Sequence, residues 1–183
     1  MRARGGHLDV LLDDGKLPAV ALATGESLEA ALGRAVDVAA LAHVEQLETR
    51  VLEDGSIATA YLGLVSSEAS VDGEWRSVTD VTLPFVGAAQ ARLRAKLSYT
   101  NVGFALAPET FTISELREVF VAALGHDVSA TNLQRVLVRR GVLERVEGRR
   151  APGRAGGRPA ALFRFASNQL EVTDEFAALR PPR

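Results

Sequence analysis

Two predicted helices joined by a very short turn constrain the fold of this chain more than any other feature. Thr112 and Glu115 form the capping-box pattern T-x-x-E, which predicts the start of a helix. Gly125 is suited to the left-handed conformation that ends a helix. Ser129 can cap a second helix that runs to Gly141. Because so few residues separate Gly125 from Ser129, the sequence predicts a helix-turn-helix.

Two short apolar segments, VLERV and ALFRF, follow the second predicted helix. Their pattern predicts two strands, and the loop between them, residues 147–159, is rich in glycine and arginine. Two helices followed by a β-hairpin with a basic tip have the layout of a winged helix. We therefore predict a winged helix-turn-helix domain over residues 111–165 and a tail over residues 166–183.

The formal net charge of −2 conceals an uneven distribution. Residues 1–110 carry 9 basic and 15 acidic side chains, whereas residues 111–183 carry 12 basic side chains, all arginine, and 8 acidic ones. Nine arginines lie within residues 131–165, opposed only by Glu144 and Glu147. An acidic first part joined to a basic second part is typical of nucleic-acid binding. A solvated, arginine-rich surface explains the same composition.

The second helix of a helix-turn-helix presents its N-terminal side chains to base edges in the major groove of DNA. Asparagine and glutamine can pair with adenine, and arginine can pair with guanine. The predicted base-reading residues are Thr131, Asn132, Gln134 and Arg135. The predicted phosphate contacts are Arg139 and Arg140 at the helix end and Arg149, Arg150, Arg154 and Arg158 in the wing loop. Leu133, Val136 and Leu137 are predicted to be buried. Double-stranded DNA is favoured over single strands, because few aromatic residues are present to stack on bases.

The first part of the chain is predicted to contain both helices and strands. Its pattern predicts the following elements: a hairpin around Asp13-Asp14-Gly15, a helix from Ser27 to Ala42, a hairpin of VEQLETRVL and IATAYLGLV across Asp54-Gly55, a strand near Trp75 and VTDVTLPF that stops at Pro84, and a helix from Gly87 to about Ala105. The fold class is therefore α+β.

Several classes of site and location are excluded or disfavoured by composition. The chain has no cysteine, which excludes disulfides, thiolate metal sites and cysteine nucleophiles. The histidines lie far apart in sequence without metal-ligand spacing, and no cofactor is predicted. No apolar run reaches the length of a membrane span, and the N-terminus lacks the pattern of a signal peptide. The expected location is therefore the cytoplasm, and no membrane partner is expected.

The stretches RLRAKLSYTNVGFALAPETFTISELREVF and NLQRVLVRRGVLE closely resemble the NrtR-like, Nudix-related transcriptional regulators. The resemblance implies a shortened Nudix-like α/β domain over residues 1–86, a linking helix over 87–110 and the winged helix already predicted. It also implies a homodimer that binds double-stranded DNA. The family's first domain senses an ADP-ribose-type nucleotide, which implies such an effector here; the alternative is that this domain serves as a dimerisation and packing platform.

The segment that corresponds to the Nudix box has lost most of its pattern. Glu26 and Arg34 keep the expected spacing. The positions that depart from the box are Val20 for glycine, Ala35 for glutamate, Val38 and Ala39 for the two metal-binding carboxylates, and Leu41 for glycine. Hydrolysis of a phosphoanhydride by this family needs a divalent metal held by clustered carboxylates. We therefore predict no catalytic residues, no metal site and no enzyme activity.

Two other functions fit parts of the sequence. A winged helix can serve as a protein-interaction or scaffold module, using the same helices without needing the arginines. A nucleotide-binding enzyme would need carboxylates from outside the box, and Glu45, Glu48 and Glu53 are the nearest. Odd separations place strand residues on opposite faces, so these three are predicted to be solvated strand and turn residues.

Overall fold

Strands and helices alternate irregularly along residues 1–150 and 159–174, the residues described by the structure, which is a computed structural model. The strands are β1 Arg2–Arg4, β2 His7–Leu12, β3 His43–Val51, β4 Ile57–Leu64, β5 Glu74–Ser77, β6 Leu143–Arg150 and β7 Ala160–Phe165. The helices are α1 Leu28–Ala35, α2 Val86–Tyr99, α3 Ile113–Leu124 and α4 Ala130–Arg139, with short 3₁₀ helices at Val38–Ala40 and Val102–Ala105. The α+β class is confirmed.

Three small antiparallel sheets organise the strands. β2 lies between β1 and β5, while β3 pairs with β4 and β6 pairs with β7. Gly5 and Gly6, with φ of 59° and 80°, make the tight turn between β1 and β2. The hairpin predicted across Asp54-Gly55 is confirmed as β3 and β4.

The hairpin predicted around Asp13-Asp14-Gly15 is wrong in its second arm. Asp13 and Lys16 exchange backbone hydrogen bonds of 2.8 and 3.0 Å, so the turn exists. The residues after it form no strand. Both edges of β2 are already occupied, by β1 and by β5, which leaves no edge for a returning strand. The strand predicted near Trp75 is present as β5, but it ends at Ser77, before VTDVTLPF.

Two predicted helices are shorter than expected, and side chains explain where each ends. α1 stops at Ala35 because Val36 is extended and the Asp37 side chain accepts a hydrogen bond from the Ala39 amide, which caps a separate 3₁₀ helix. α2 stops at Tyr99, where Thr100 is extended and its hydroxyl donates to the Lys96 carbonyl at 2.7 Å. A second 3₁₀ helix, rather than α2, then reaches Ala105.

Within the described residues, one hydrophobic core joins the first and second parts of the chain. Leu8 of β2, Leu93 of α2 and Leu116 of α3 all belong to it. Gly103 lies where a Cβ would approach the rings of Phe120 and Phe165 to about 3 Å, so only glycine fits without a shift. No helix within the described residues is long and apolar enough to span a membrane.

Candidate nucleic-acid interface

The first helix of the predicted helix-turn-helix, α3, begins and ends as the sequence predicts. The Thr112 hydroxyl accepts from the Glu115 amide at 3.2 Å, and the Glu115 carboxylate accepts from the Thr112 amide at 2.7 Å, which completes the capping box. Gly125 ends the helix with φ of 74°. Leu116 and Phe120 face the core, so α3 is fixed at both ends and along its inner face.

The turn between α3 and α4 is held by an arginine that sequence reasoning did not single out. Arg117 donates through Nε to the Val128 carbonyl at 2.8 Å and pairs with the Asp127 carboxylate. The Ser129 hydroxyl then caps α4 by accepting from the Asn132 amide at 3.4 Å, as predicted. These contacts fix the direction in which α4 leaves the turn.

The outward face of α4 carries the predicted base-reading residues. All of them are exposed: Thr131, Asn132, Gln134 and Arg135. Leu133 and Leu137 are buried as predicted, whereas Val136 is only partly covered. Arg135 donates from Nη2 to the Asn132 Oδ1 at 2.8 Å, one turn away on the same face. The helix therefore presents amide, hydroxyl and guanidinium groups together.

The two arginines at the end of α4 have different environments. Arg139 is exposed and has no ion-pair partner within the described residues. The Arg140 side chain is only 11% exposed. It donates to the Ser98 carbonyl at 2.6 Å and pairs with Asp174 at 3.2 Å. The guanidinium of Arg140 thus faces α2 rather than solvent, and the predicted phosphate contact at this position is not supported.

A segment that follows the wing, residues 166–174, holds Arg140 in place. We call it the return segment. The Asn101 amide donates to the Gln169 carbonyl at 2.8 Å, and its oxygen accepts from the Glu171 amide at 2.8 Å. The Thr173 amide bonds to the Tyr99 carbonyl at 2.8 Å. The return segment therefore connects the end of α2 to the end of α4.

The wing is the hairpin of β6 and β7, with a register shift between Val146 and Arg149. Arg149 is exposed and has no ion-pair partner among the described residues. The same holds for Arg145, which was not among the residues predicted to contact DNA. Arg150 pairs with Glu115 at 3.3 Å and donates to the Thr110 carbonyl at 3.1 Å. The predicted contacts Arg154 and Arg158 lie outside the described residues.

The remnant of the Nudix box forms one ion pair. The Glu26 carboxylate accepts from Nε and Nη2 of Arg34 at 2.8 and 2.7 Å. These hydrogen bonds lower the pKa of Glu26 to about 2. Val38 and Ala39, at the carboxylate positions of the box, lie on the 3₁₀ helix. Within residues 1–150 and 159–174, no group of three or more histidines, aspartates or glutamates could hold a metal ion.

Glu45, predicted to be a solvated strand residue, is instead a largely buried ion-pair centre. Lys96 of α2 approaches its carboxylate to 2.6 Å, and Arg92 and His43 each approach it to 3.4 Å. Partial burial acts to raise the pKa of Glu45, but the bonds and charges of Lys96 and His43 outweigh it, so the pKa is lowered. β3 is thereby tied to α2.

The argument that placed Glu45 and Glu48 on opposite faces of β3 is also wrong. Their cross-strand partners are Leu62 and Ala60, two residues apart on β4 and hence on one face. The register shift between Gln46 and Glu48 inserts one extra residue and reverses the alternation. Glu48 pairs with Arg50 at 2.6 Å, so the two carboxylates share a face but serve separate ion pairs.

Comparison with known proteins shows which proteins have similar features. Residues 103–165 match the family described as the NrtR DNA-binding winged helix domain. The "ADPR responsive transcriptional repressor NtrR" of Acinetobacter baylyi is 37% identical over 78 residues, which make up 43% of this chain and 30% of that protein. The chain therefore spans about a third of the length of this curated relative.

Two solved structures resemble the chain over most of its length. The crystal structure of Shewanella oneidensis NrtR complexed with a 27mer DNA has a TM-score of 0.65 and 28% identity, covering 82% of this chain and 78% of that one. The crystal structure of Shewanella oneidensis NrtR has a TM-score of 0.67 and 26% identity, covering 90% and 89%. The chain therefore resembles NrtR structures over most of its length, and its residues 103–165 match the NrtR DNA-binding winged helix domain.

Proposed function

We propose that this chain is a transcriptional regulator that binds double-stranded DNA at specific sequences. The observation that carries the proposal is the outward face of α4, where Asn132, Gln134 and Arg135 are exposed together. Side chains of these types at the start of a recognition helix suit direct contacts with base edges in the major groove. The structure of an NrtR complexed with DNA supports the same function.

Unpaired arginines beside that face supply the phosphate contacts in this proposal. Arg139, Arg145 and Arg149 are exposed and have no ion-pair partner within the described residues. Arg154 and Arg158 of the wing loop complete the proposed set. Arg140 and Arg150 are assigned to positioning α4 and the wing, because their guanidinium groups already bind Asp174 and Glu115.

The same arginines favour DNA over a protein-interaction or scaffold role. A scaffold that had lost DNA binding would be free to neutralise its basic face with the acidic first part of the chain. The paired arginines of this region instead use Glu115, Glu144 and Asp174, which belong to the second part. The arginines without partners are left for an anionic ligand, and the phosphate backbone of DNA is such a ligand.

The proposed organisation is a Nudix-like domain over residues 1–86, a linking segment over 87–110, the winged helix over 111–165 and a tail over 166–183. The chain acts as a homodimer, because helix-turn-helix proteins gain affinity by binding two half-sites. Its first domain is catalytically inactive and responds to an ADP-ribose-type nucleotide, by analogy with the ADPR responsive relative.

A fluorescence-anisotropy titration tests the proposal. The DNA upstream of the chain's own gene is compared with a random duplex at two salt concentrations, with and without ADP-ribose. Tight binding to the upstream DNA, weaker and more salt-sensitive binding to random DNA, and release by ADP-ribose are expected. Equal binding to both duplexes, or none, would contradict sequence-specific regulation.

A further inference from the structure

A hydrogen bond joins two of the predicted base-reading residues, Arg135 and Asn132. Arg135 Nη2 donates to Asn132 Oδ1 at 2.8 Å, and both side chains are exposed on the first two turns of α4. An amide reads adenine with two groups at once: its oxygen accepts from N6 and its nitrogen donates to N7. The bond from Arg135 occupies one of the two lone pairs of the Asn132 oxygen and holds the amide against the guanidinium.

The same bond leaves Arg135 with enough N–H donors to read guanine. A guanidinium has five N–H groups, and Asn132 uses one of them. Guanine presents two acceptors in the major groove, O6 and N7, which match two parallel N–H donors. Holding a long side chain with a neighbouring acceptor reduces the rotamer entropy that it must lose on binding.

Within the described residues, no carboxylate forms an ion pair with Arg135. α4 has no acidic residue over Ala130–Arg139. Asp127, the acidic residue of the preceding turn, is paired with Arg117. Within the described residues, the contact of the Arg135 guanidinium is therefore with a neutral amide, which orients the charge without cancelling it.

We propose that Asn132 is a positioning residue that orients Arg135, and that Arg135 reads a guanine in each half-site. This inference rests on the proposed function and deepens it, since it names the base that the recognition helix selects. In this proposal Asn132 holds Arg135 in place of making the adenine contact expected from its residue type. Gln134, whose side chain is exposed on the same face, is left to read adenine.

The experiment starts from the operator obtained by binding-site selection with the full chain. Each guanine of that duplex is replaced in turn by 7-deazaguanine, and each adenine by 7-deazaadenine, which removes N7 and keeps base pairing. Wild-type protein is expected to lose about tenfold in affinity at one guanine per half-site. Arg135→Ala removes this sensitivity. Asn132→Ala reduces it to threefold or less, while the sensitivity at every adenine is unchanged.

Two further variants separate positioning from direct contact. Asn132→Gln keeps a neutral amide acceptor for Arg135, so it is expected to retain more of the guanine sensitivity than Asn132→Ala does, and a loss equal to that of Asn132→Ala would contradict positioning by the amide oxygen. The double variant Asn132→Ala/Arg135→Ala is expected to match Arg135→Ala alone, because the two side chains act as one unit. Thermal unfolding checks that all variants are folded, since Ser129 rather than Asn132 caps α4.

Loss of adenine sensitivity in Asn132→Ala, with guanine sensitivity intact, would overturn the inference and leave the proposed function standing. Full tenfold guanine sensitivity in Asn132→Ala would overturn it as well. A wild-type protein that selects no sequence at all would overturn the proposed function, and this inference with it.

Discussion

The first and second parts of the molecule use their charged side chains differently. In residues 1–86, arginines such as Arg34, Arg50 and Arg76 are matched by nearby glutamates within the same part. On α4 and the wing, Arg139 and Arg149 stand exposed without a matching carboxylate among the described residues. Under the proposed function, the unpaired arginines of α4 and the wing contact DNA, whereas the paired arginines do not. The predictions below test this contrast.

The largest expected effect follows from removing two unpaired arginines. Arg139→Ala/Arg149→Ala is expected to weaken binding to operator and random duplexes alike by roughly ten- to a hundredfold at physiological salt. The slope of log affinity against log salt should become shallower by about 1.8, or about 0.9 for each lost phosphate contact. Anisotropy titrations over a salt series measure both quantities.

The matched control for this variant removes two paired arginines from the first part. Arg50→Ala/Arg76→Ala deletes the same charge but no proposed contact. An equal fall in DNA affinity for the control would mean that overall charge, rather than the surface of α4 and the wing, governs binding.

The next effect concerns stability. Glu45→Ala removes the partner of Lys96, whose side chain is only 12% exposed, and is expected to lower the free energy of unfolding by about 2–3 kcal/mol. Glu48→Ala, which breaks a more exposed pair, should cost about 0.5 kcal/mol. Urea unfolding followed by circular dichroism compares them. Equal losses would contradict the role of Glu45 in tying β3 to α2.

The lowered pKa of Glu45 also predicts a pH dependence. A carboxyl whose pKa is lowered on folding stabilises the protein above its unfolded pKa, about 4.3, and that stability is lost as pH falls towards its folded pKa. Unfolding free energies measured from pH 6 downwards should therefore fall less steeply below about pH 4.5 in Glu45→Ala than in wild type. Identical pH profiles would argue against this linkage.

Two adjacent arginines give a smaller and sharper test. Arg140→Ala is expected to lower the free energy of unfolding by about 1–2 kcal/mol, because it removes the hydrogen bond to the Ser98 carbonyl and the ion pair with Asp174. The salt slope of DNA binding should not change. Arg139→Ala should do the reverse, with an unchanged stability and a slope shallower by about 0.9. A shallower salt slope in Arg140→Ala would instead support the prediction from the sequence that Arg140 contacts phosphate.

The last prediction is that no hydrolytic activity is detected. Mg²⁺ should not produce hydrolysis of ADP-ribose above background, because Val38 and Ala39 stand where the box has metal-binding carboxylates. Chromatographic detection of the products measures the rate. Hydrolysis by wild type that is lost in Glu26→Gln would show that the remnant box is active.

Local signals made much of the second part predictable. The Thr112 capping box, the left-handed Gly125 and the Ser129 cap each act within one helical turn. The exposed face of α4 followed from helical periodicity for the same reason. These features depend on residues that are neighbours in sequence, so a single sequence contains nearly all the information that fixes them.

Features that the sequence did not reveal depend on distant residues or on one inserted residue. Arg140 pairs with Asp174, 34 residues later, and no local pattern separates it from Arg139. The extra residue in β3 between Gln46 and Glu48 reverses which side chains face inward. The segment after Lys16 forms no strand because β2 already has β1 and β5 as neighbours.

Because of the return segment, the winged helix cannot be transferred to another protein as residues 103–165 alone. Residues 103–165 match the family, yet both partners of Arg140, Ser98 and Asp174, fall outside that range. A gene fusion that transplanted only the matched residues would remove both partners, so these contacts would no longer hold the end of α4 in place. A transplanted domain that keeps its orientation must therefore extend from α2 through residue 174.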